Sequence, residues 1–251
     1  LNKTIWILTL FPEYFLPLMS AGVIGAALRG ERGDVIFNIK IINIRDFAMT
    51  KYKSVDDTPY GGGPGMVMRA DILENALLTG VVVAGKYGEN FKERLNVICP
   101  SPRGQVWNNV EAKKMALKIK EEKDLVFICG RYEGIDERFL DKYVDQFISM
   151  GDFVLSGGEL AVMTIIDSSM RFVPGVLLNQ DSSVQDSFED GLLECPQYTK
   201  PQEFSGVKVP EVLMNGNHKK IVEYQLDEKI KMTKKYRPDL YINHKKAEKN
   251  D

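Results

Sequence analysis

Metal and nucleophile chemistry find little to work with in this chain. Its 251 residues hold two histidines, His218 and His244, and three cysteines, Cys99, Cys129 and Cys195, with no CxxC spacing among them. No zinc-ligand cluster can be built from that set, and the thiols read as buried or unreactive. Neither GxGxxG nor GxxxxGK[ST] occurs, which removes support from ordinary dinucleotide dehydrogenase and P-loop chemistry. GxSxG is missing as well, and both histidines lie in the C-terminal part, so a Ser-His-Asp hydrolase is poorly supported. No apolar run approaches the roughly 20 residues needed to span a bilayer. The first residues read TIWILTLF before Pro12, a strand pattern rather than a signal peptide, and a cytosolic protein is expected.

What is there is an ordinary globular composition, 44% hydrophobic and 27% charged, long enough for one large or two modest domains. The net charge of -2 hides an asymmetry. From Val207 to Asp251 there are 11 Lys+Arg against 7 Asp+Glu, which leaves 22 against 28 for the rest. The C-terminal part is therefore the better candidate for contact with a phosphate backbone, although a solvated helical surface accounts for the same lysines.

Branched and aromatic residues predict strands over Thr4–Phe11, Phe37–Ile44, Asn96–Cys99, Leu125–Cys129 and Gln146–Ser149. Helices are predicted after Pro12, from a capping Asp71 to Leu78, over Asn109–Glu121 and over Glu159–Phe172, with Pro174-Gly175 as the stop. Arg45–Thr58 reads as loop, and Pro59–Met66, PYGGGPGM, is too rich in glycine and proline for a helix or strand interior. Asn179–Gly191 is polar, acidic and weakly patterned, as a linker would be. Beyond it, two helical patterns are predicted, one from Asn217 to about Thr233 and a short basic tail beyond Pro238.

The strands ending near Cys99, Cys129 and Ser149 each pass into a glycine-containing loop: PSPRG, GRYEGIDER and the stretch SMGDFVLSGGEL, Ser149–Leu160. In open α/β sheets ligands gather beyond the carboxyl ends of such strands, so the three loops are expected to converge on one pocket. Gly151, Gly157 and Gly158 would let a ligand approach the main chain, and Phe153, Val154 and Leu155 would form an apolar wall. A connection whose glycines only turn the chain would look the same. Acids, arginines and glycine loops without a nucleophile suit a protein that binds a preformed reactive cofactor and transfers a group from it.

PYGGGPGM, GRYEGIDER, GDFVLSGGEL, RFVPG, DSFEDGLLECP and VPEVLMNGNH, in that order over nearly the whole chain, resemble the bacterial tRNA (guanine-N1)-methyltransferase family of the SPOUT class. The resemblance implies an α/β fold: a SPOUT-type, mostly parallel sheet with a deep trefoil knot, plus a small helical C-terminal domain. It implies a homodimer with the active site at the subunit interface and the anticodon stem-loop of tRNA as partner. Residues 1–176 would bind S-adenosylmethionine, 177–191 would be a flexible linker, and 192–251 would bind tRNA. Knots are nearly absent from proteins, and nothing in the periodicity points to one.

By the same resemblance, Cys99, Pro100, Ser101, Pro102, Gly130, Met150, Gly151, Asp152, Phe153, Val154, Leu155, Gly157 and Gly158 surround the cofactor. Asp186 is the general base at guanine N1 and Arg171 stabilises O6, while Glu133 acts on the guanine edge or through a magnesium ion. Gly61, Ser187 and Lys200 belong to the substrate side. Without the resemblance, Arg171 reads as a cation at a helix end and Asp186 as a cap or solvated linker acid. The chain departs from the family's usual pattern with Cys99-Pro100 in place of Tyr-Leu and Met150 in place of Ile. Glu194, Gln197 and Lys200 stand where Asp, His and Arg are common. Lysine lacks the planar fork of arginine, so Lys200 is the weakest transfer. Two other readings fit the same residues: a SPOUT-class enzyme acting elsewhere, such as a ribose 2′-hydroxyl, and a non-catalytic RNA-binding or nucleotide-sensing module.

Overall fold

The computed structural model describes residues 2–33, 35–49, 51–120, 123–177 and 186–247. The chain divides into two compact units, Leu1–Leu178 and Asn179–Asp251. Residues 178–185 of the expected linker, and Glu121 at the expected end of one helix, lie outside the described residues.

The first unit is built on five strands: β1 (Asn2–Thr9), β2 (Ile36–Asn43), β5 (Leu95–Val106), β6 (Asp124–Ile128) and β7 (Gln146–Ser149). A hairpin of β3 (Asp56–Asp57) and β4 (Val67–Met68) stands apart from them. The sheet order is β2-β1-β6-β5-β7, and every pairing in it is parallel. The inner strands β1 and β6 are apolar in near-continuous runs because both faces are covered, the usual condition of parallel sheets, whereas the edge strand β2 is only partly buried. Alternation along β1 sends Ile5 and Ile7 into one core and Trp6 and Leu8 into the other.

The first core packs the sheet against α2 (Gly22–Leu28), α5 (Asn109–Lys120) and α7 (Glu159–Met170), with Ile24, Met115, Ile119, Val162 and Ile166 buried. The second packs it against α3 (Ala70–Leu77) and α6 (Glu137–Tyr143), with Ile72, Leu73, Phe139 and Leu140 buried. Truncating one such side chain to alanine typically costs about 2–5 kcal/mol.

The structure corrects several expectations. Arg69, not Asp71, precedes α3; Asp71 sits in its first turn and pairs with Arg69 at 2.7 Å. The loop expected over Arg45–Thr58 holds a short 3-10 turn, Ile44–Phe47, and β3. Between α3 and β5, where no element was predicted, the chain forms a π turn, Leu78–Val83, and then a one-turn helix α4 (Phe91–Arg94). In place of one helix after Pro12, a 3-10 turn at Pro12–Phe15 leads into α1 (Leu16–Ser20) and then α2.

The largest correction concerns β5, which does not end at Cys99. Pro100 and Gln105 both pair with Ile148, so the strand leaves β7, runs through residues 101–104 and rejoins it at the same place. Gly104 closes that excursion because a Cβ there would lie 2.3 Å from the Ile148 nitrogen.

The second unit holds a small hairpin, β8 (Glu203–Phe204) with β9 (Val207–Lys208), and two helices, α8 (His218–Tyr236) and α9 (Pro238–Ala247). Asn217 caps α8 by accepting from the Lys220 N–H, so the helix starts where the NGNH motif predicts. The basic tail beyond Pro238 is itself helical.

Candidate ligand site

Thr9, Ile128 and Ser149 end β1, β6 and β7 on one edge of the sheet. Beyond that edge, the excursion in β5, the loop after β6 and the loop after β7 surround a cleft of about 440 Å³. Its lining includes Cys99, Pro100, Ser101, Pro102, Gly130, Glu133, Met150, Gly151, Phe153, Val154, Leu155, Gly157 and Gly158. Asp152 lies beside these residues in sequence but does not line the cleft. The three glycine-containing loops thus converge on one cleft as the sequence predicts, for a topological reason. All three leave parallel strands at their carboxyl ends.

The cleft pairs apolar walls with main-chain polar groups. Phe153 and Val154 are 56% and 88% exposed, an apolar rim that a flat ligand could cover. Gly158 donates its N–H to the Gly130 carbonyl at 2.9 Å, which brings the third loop onto the second. A Cβ on Gly158 would sit 2.9 Å from the Cys129 Cα, so the close approach needs glycine. Burial pushes the Cys99 thiol up to about 12 and the Cys129 thiol well above its ordinary value, so neither is a thiolate at neutral pH.

The loop after β6 is held from two sides. On one side Glu133 donates its N–H to the Met66 carbonyl at 2.9 Å, and Asp136 to the Met68 carbonyl at 3.0 Å. Met68 in turn donates to the Gly134 carbonyl at 2.9 Å. These bonds stitch GRYEGIDER to the end of PYGGGPGM and leave Tyr132 in the left-handed region at φ 58°. On the other side Arg131 reaches across to the buried Glu159 at 2.9 Å. Sequence reasoning missed Arg131, Glu159 and Thr9, which make one linked cluster of which Arg131 lines the cleft. The signal for Glu159 was an acid between two glycines and an apolar helix, a first-turn position where negative charge is favoured. Its burial was not legible.

A second, larger groove of about 1030 Å³ adjoins the cleft and shares Ile135 and Glu137 with it. It runs along Thr58 and along Pro59 and Tyr60 of the PYGGGPGM loop, whose Tyr60 is almost fully exposed. Gly61 follows at φ 89° with open space around it.

Arg171 follows α7 as its C-cap and is exposed. In the second unit, Asp186 is half-buried at the start of a tight turn in which Glu189 donates to the Asp186 carbonyl at 3.4 Å. Ser187 accepts the Glu194 N–H at 3.0 Å, and Lys200 is exposed. Among the described residues no group of three or more His, Cys, Asp or Glu could hold a metal ion. Of the acids near Glu133, Asp136 pairs with Arg138 and Glu137 with Arg103, each at 2.7 Å. Among the described residues, the side chains around Glu133 therefore do not gather into a metal-ligand cluster. Among the described residues no helix is long and apolar enough to cross a membrane.

A parallel sheet whose strand-end loops fold into one half-apolar cleft defines an α/β protein that holds a small organic ligand at the sheet's carboxyl edge. The sequence comparisons narrow that class. The chain belongs to the family described as tRNA (Guanine-1)-methyltransferase TrmD, whose model matches residues 3–243. It is 45% identical over 236 residues to the tRNA (guanine-N(1)-)-methyltransferase of Burkholderia ambifaria, covering 94% of this chain and 85% of that one. With the like-named protein of Buchnera aphidicola it shares 46% identity over 252 residues, 99% of this chain and 90% of the other.

Proposed function

We propose that this chain transfers a methyl group from S-adenosylmethionine to N1 of the guanosine 3′ of the anticodon in tRNA. The observation that carries the proposal is the convergence of the three strand-end loops on one cleft, in a chain whose family match runs over residues 3–243. The cleft suits an adenosyl group, with main-chain donors and acceptors for the base edge and Pro102, Val154 and Leu155 for its faces. S-adenosylmethionine, when bound, supplies an electrophilic methyl group on a sulfonium.

N1 of guanine carries a proton and becomes a good nucleophile only as that proton leaves. Asp186 accepts it. Negative charge then builds on O6, where the Arg171 guanidinium stabilises it in a water-excluded site. Glu133, fixed on the Met66 carbonyl, meets the guanine edge, and the groove along Tyr60 and Gly61 admits the target nucleotide. Ser187 supports the turn that carries Asp186. No step is assigned to magnesium.

Arg171 belongs to the first unit and Asp186 to the second. In this proposal the protein is a homodimer in which the linker and C-terminal unit of one subunit complete the site of the other, and the first unit carries a deep trefoil knot. Lys200, Lys219 and Lys220 hold the anticodon stem-loop by phosphate contacts, which weaken as salt rises. The setting is the cytoplasm.

The test is transfer from labelled S-adenosylmethionine to unmodified tRNA bearing a guanosine after the anticodon, with the product nucleoside identified by mass spectrometry. N1-methylguanosine is expected. A ribose-methylated nucleoside, or no transfer by a folded, cofactor-bound protein, would sink the proposal.

A further inference from the structure

Glu159 is 1% exposed, yet it is an acid, and the chemistry above makes no use of it. Its two oxygens serve different elements. Oε1 accepts the Thr9 hydroxyl at 2.7 Å, and Thr9 Oγ1 accepts the Phe11 N–H at 3.0 Å, tying down the chain as it leaves β1. Oε2 lies 2.9 Å from the Arg131 Nη2, an ion pair without the alignment of a hydrogen bond. Arg131 then donates through Nη1 to the Ser156 carbonyl at 3.1 Å. Its guanidinium also lies over Phe11, 4.4 Å from the ring centroid. Gly157 leaves the room for this arrangement: a Cβ there would meet the Arg131 Nε at 2.2 Å. One buried acid and one arginine therefore join the end of β1, the loop after β6, the loop after β7 and the first turn of α7.

A buried ion pair is a poor source of stability, because desolvation offsets most of its attraction. Its geometry here points to another use. The Ser156 carbonyl belongs to the same short loop as Val154 and Leu155 of the cleft wall. We propose that Arg131, held by Glu159 and Thr9, is a positioning residue that sets the 150–158 loop for S-adenosylmethionine. This rests on the function proposed above. Arg131 is itself part of the cleft lining, and the role proposed for it is exerted through the loop it holds.

The test uses the full chain, with S-adenosylmethionine affinity by calorimetry and thermal unfolding measured on the same variants. Arg131→Lys keeps a charge for Glu159 but loses the planar fork that also reaches Ser156. It is expected to keep most of its stability and to weaken cofactor binding about 10- to 100-fold, the scale of a supporting contact misplaced by about 1 Å. The double variant Arg131→Leu with Glu159→Leu removes both buried charges. Its Tm should exceed that of Glu159→Leu alone while its affinity stays low. Ile165→Ala, a buried change on α7 away from the loops, should lower Tm and leave affinity within about twofold.

Arg131→Lys and the double variant both binding within twofold of wild type would overturn the proposal. So would loss of affinity in Ile165→Ala as large as in Arg131→Lys, since affinity would then merely follow stability. A wild-type chain that binds no S-adenosylmethionine overturns the proposed function and this inference together. Normal wild-type binding with indifferent variants overturns this inference alone.

Discussion

Replacing Gly158 by alanine separates the two reasons a glycine can be required. Its φ is -76°, open to any residue, so alanine meets no conformational penalty there. Space is the whole cost. The new Cβ would lie 2.9 Å from the Cys129 Cα and 3.1 Å from the Gly130 nitrogen, both backbone atoms at the buried end of β6. Carbon contacts relax to about 3.5 Å, so the two segments must part by about half an ångström. That takes the Gly158 N–H to Gly130 bond from 2.9 Å to the edge of hydrogen-bonding range. Overpacking costs about 1–3 kcal/mol and the weakened bond about 1 more, roughly 2–4 kcal/mol together. In a chain of this size that lowers the melting temperature by roughly 5–15 °C.

The assay is thermal unfolding of the full chain by circular dichroism, with Gly130→Ala as the comparison. A Cβ on Gly130 meets only the end of Ile135, at 3.5 Å, an ordinary contact. This variant should melt within about 2 °C of wild type. Its methyl group points where Gly130 lines the cleft, so its effect belongs to ligand affinity. If Gly158→Ala also melts within 2 °C, the two loops are not wedged together as the distances require.

Three further outcomes follow from the site and its surroundings. Asp186→Asn should lower turnover by at least about 100-fold at every pH tested while calorimetric S-adenosylmethionine affinity stays near wild type; near-normal turnover removes Asp186 from the base role. Arg171→Ala should lower kcat by about 10²–10³ through lost stabilisation of O6, and an effect confined to KM would count against that role. Burial and the neighbouring Asp124 carboxylate push the Tyr87 phenol up to about 12, against about 10 in an unfolded chain. Between those values the unfolded chain has lost a proton the fold retains, so stability falls as pH rises. Tyr87→Phe should therefore show a shallower loss of stability from pH 10 to 12 in denaturant titrations.

Much of the sheet was legible because its inner strands are buried on both faces and read as apolar runs. Gln146–Ser149 coincides with β7, and Leu125–Cys129 differs from β6 by one residue at each end. Strand β5 was read short for a physical reason. Proline and glycine at Pro100, Pro102 and Gly104 carry a loop signal, and they do form an excursion. What local composition cannot show is that the chain returns to pair with Ile148 again, because that pairing depends on β7, more than forty residues later. The π turn after α3 escaped notice because LTGVVV carries no clean period of either kind.

The cleft loops were legible as glycine-rich strand ends, whereas the forces that position them were not. Glycine announces that a side chain is absent without saying what takes its place. At Gly65 the vacant Cβ position lies 2.4 Å from the Glu133 Cγ, and at Gly157 it lies 2.2 Å from the Arg131 Nε. Two glycines from motifs far apart in the chain thus make room for two charged side chains of the same short loop, GRYEG. Gly157 stands in the cleft lining, yet its missing side chain serves Arg131 before it serves any ligand. Gly65 leaves the space in which Glu133 lies, so the position of Glu133 depends on PYGGGPGM as much as on its own loop. Motifs that the sequence leads one to expect around a single pocket are, in the fold, one interlocked shell around GRYEG. Substitutions at its glycines should therefore be read first for what they do to Arg131 and Glu133.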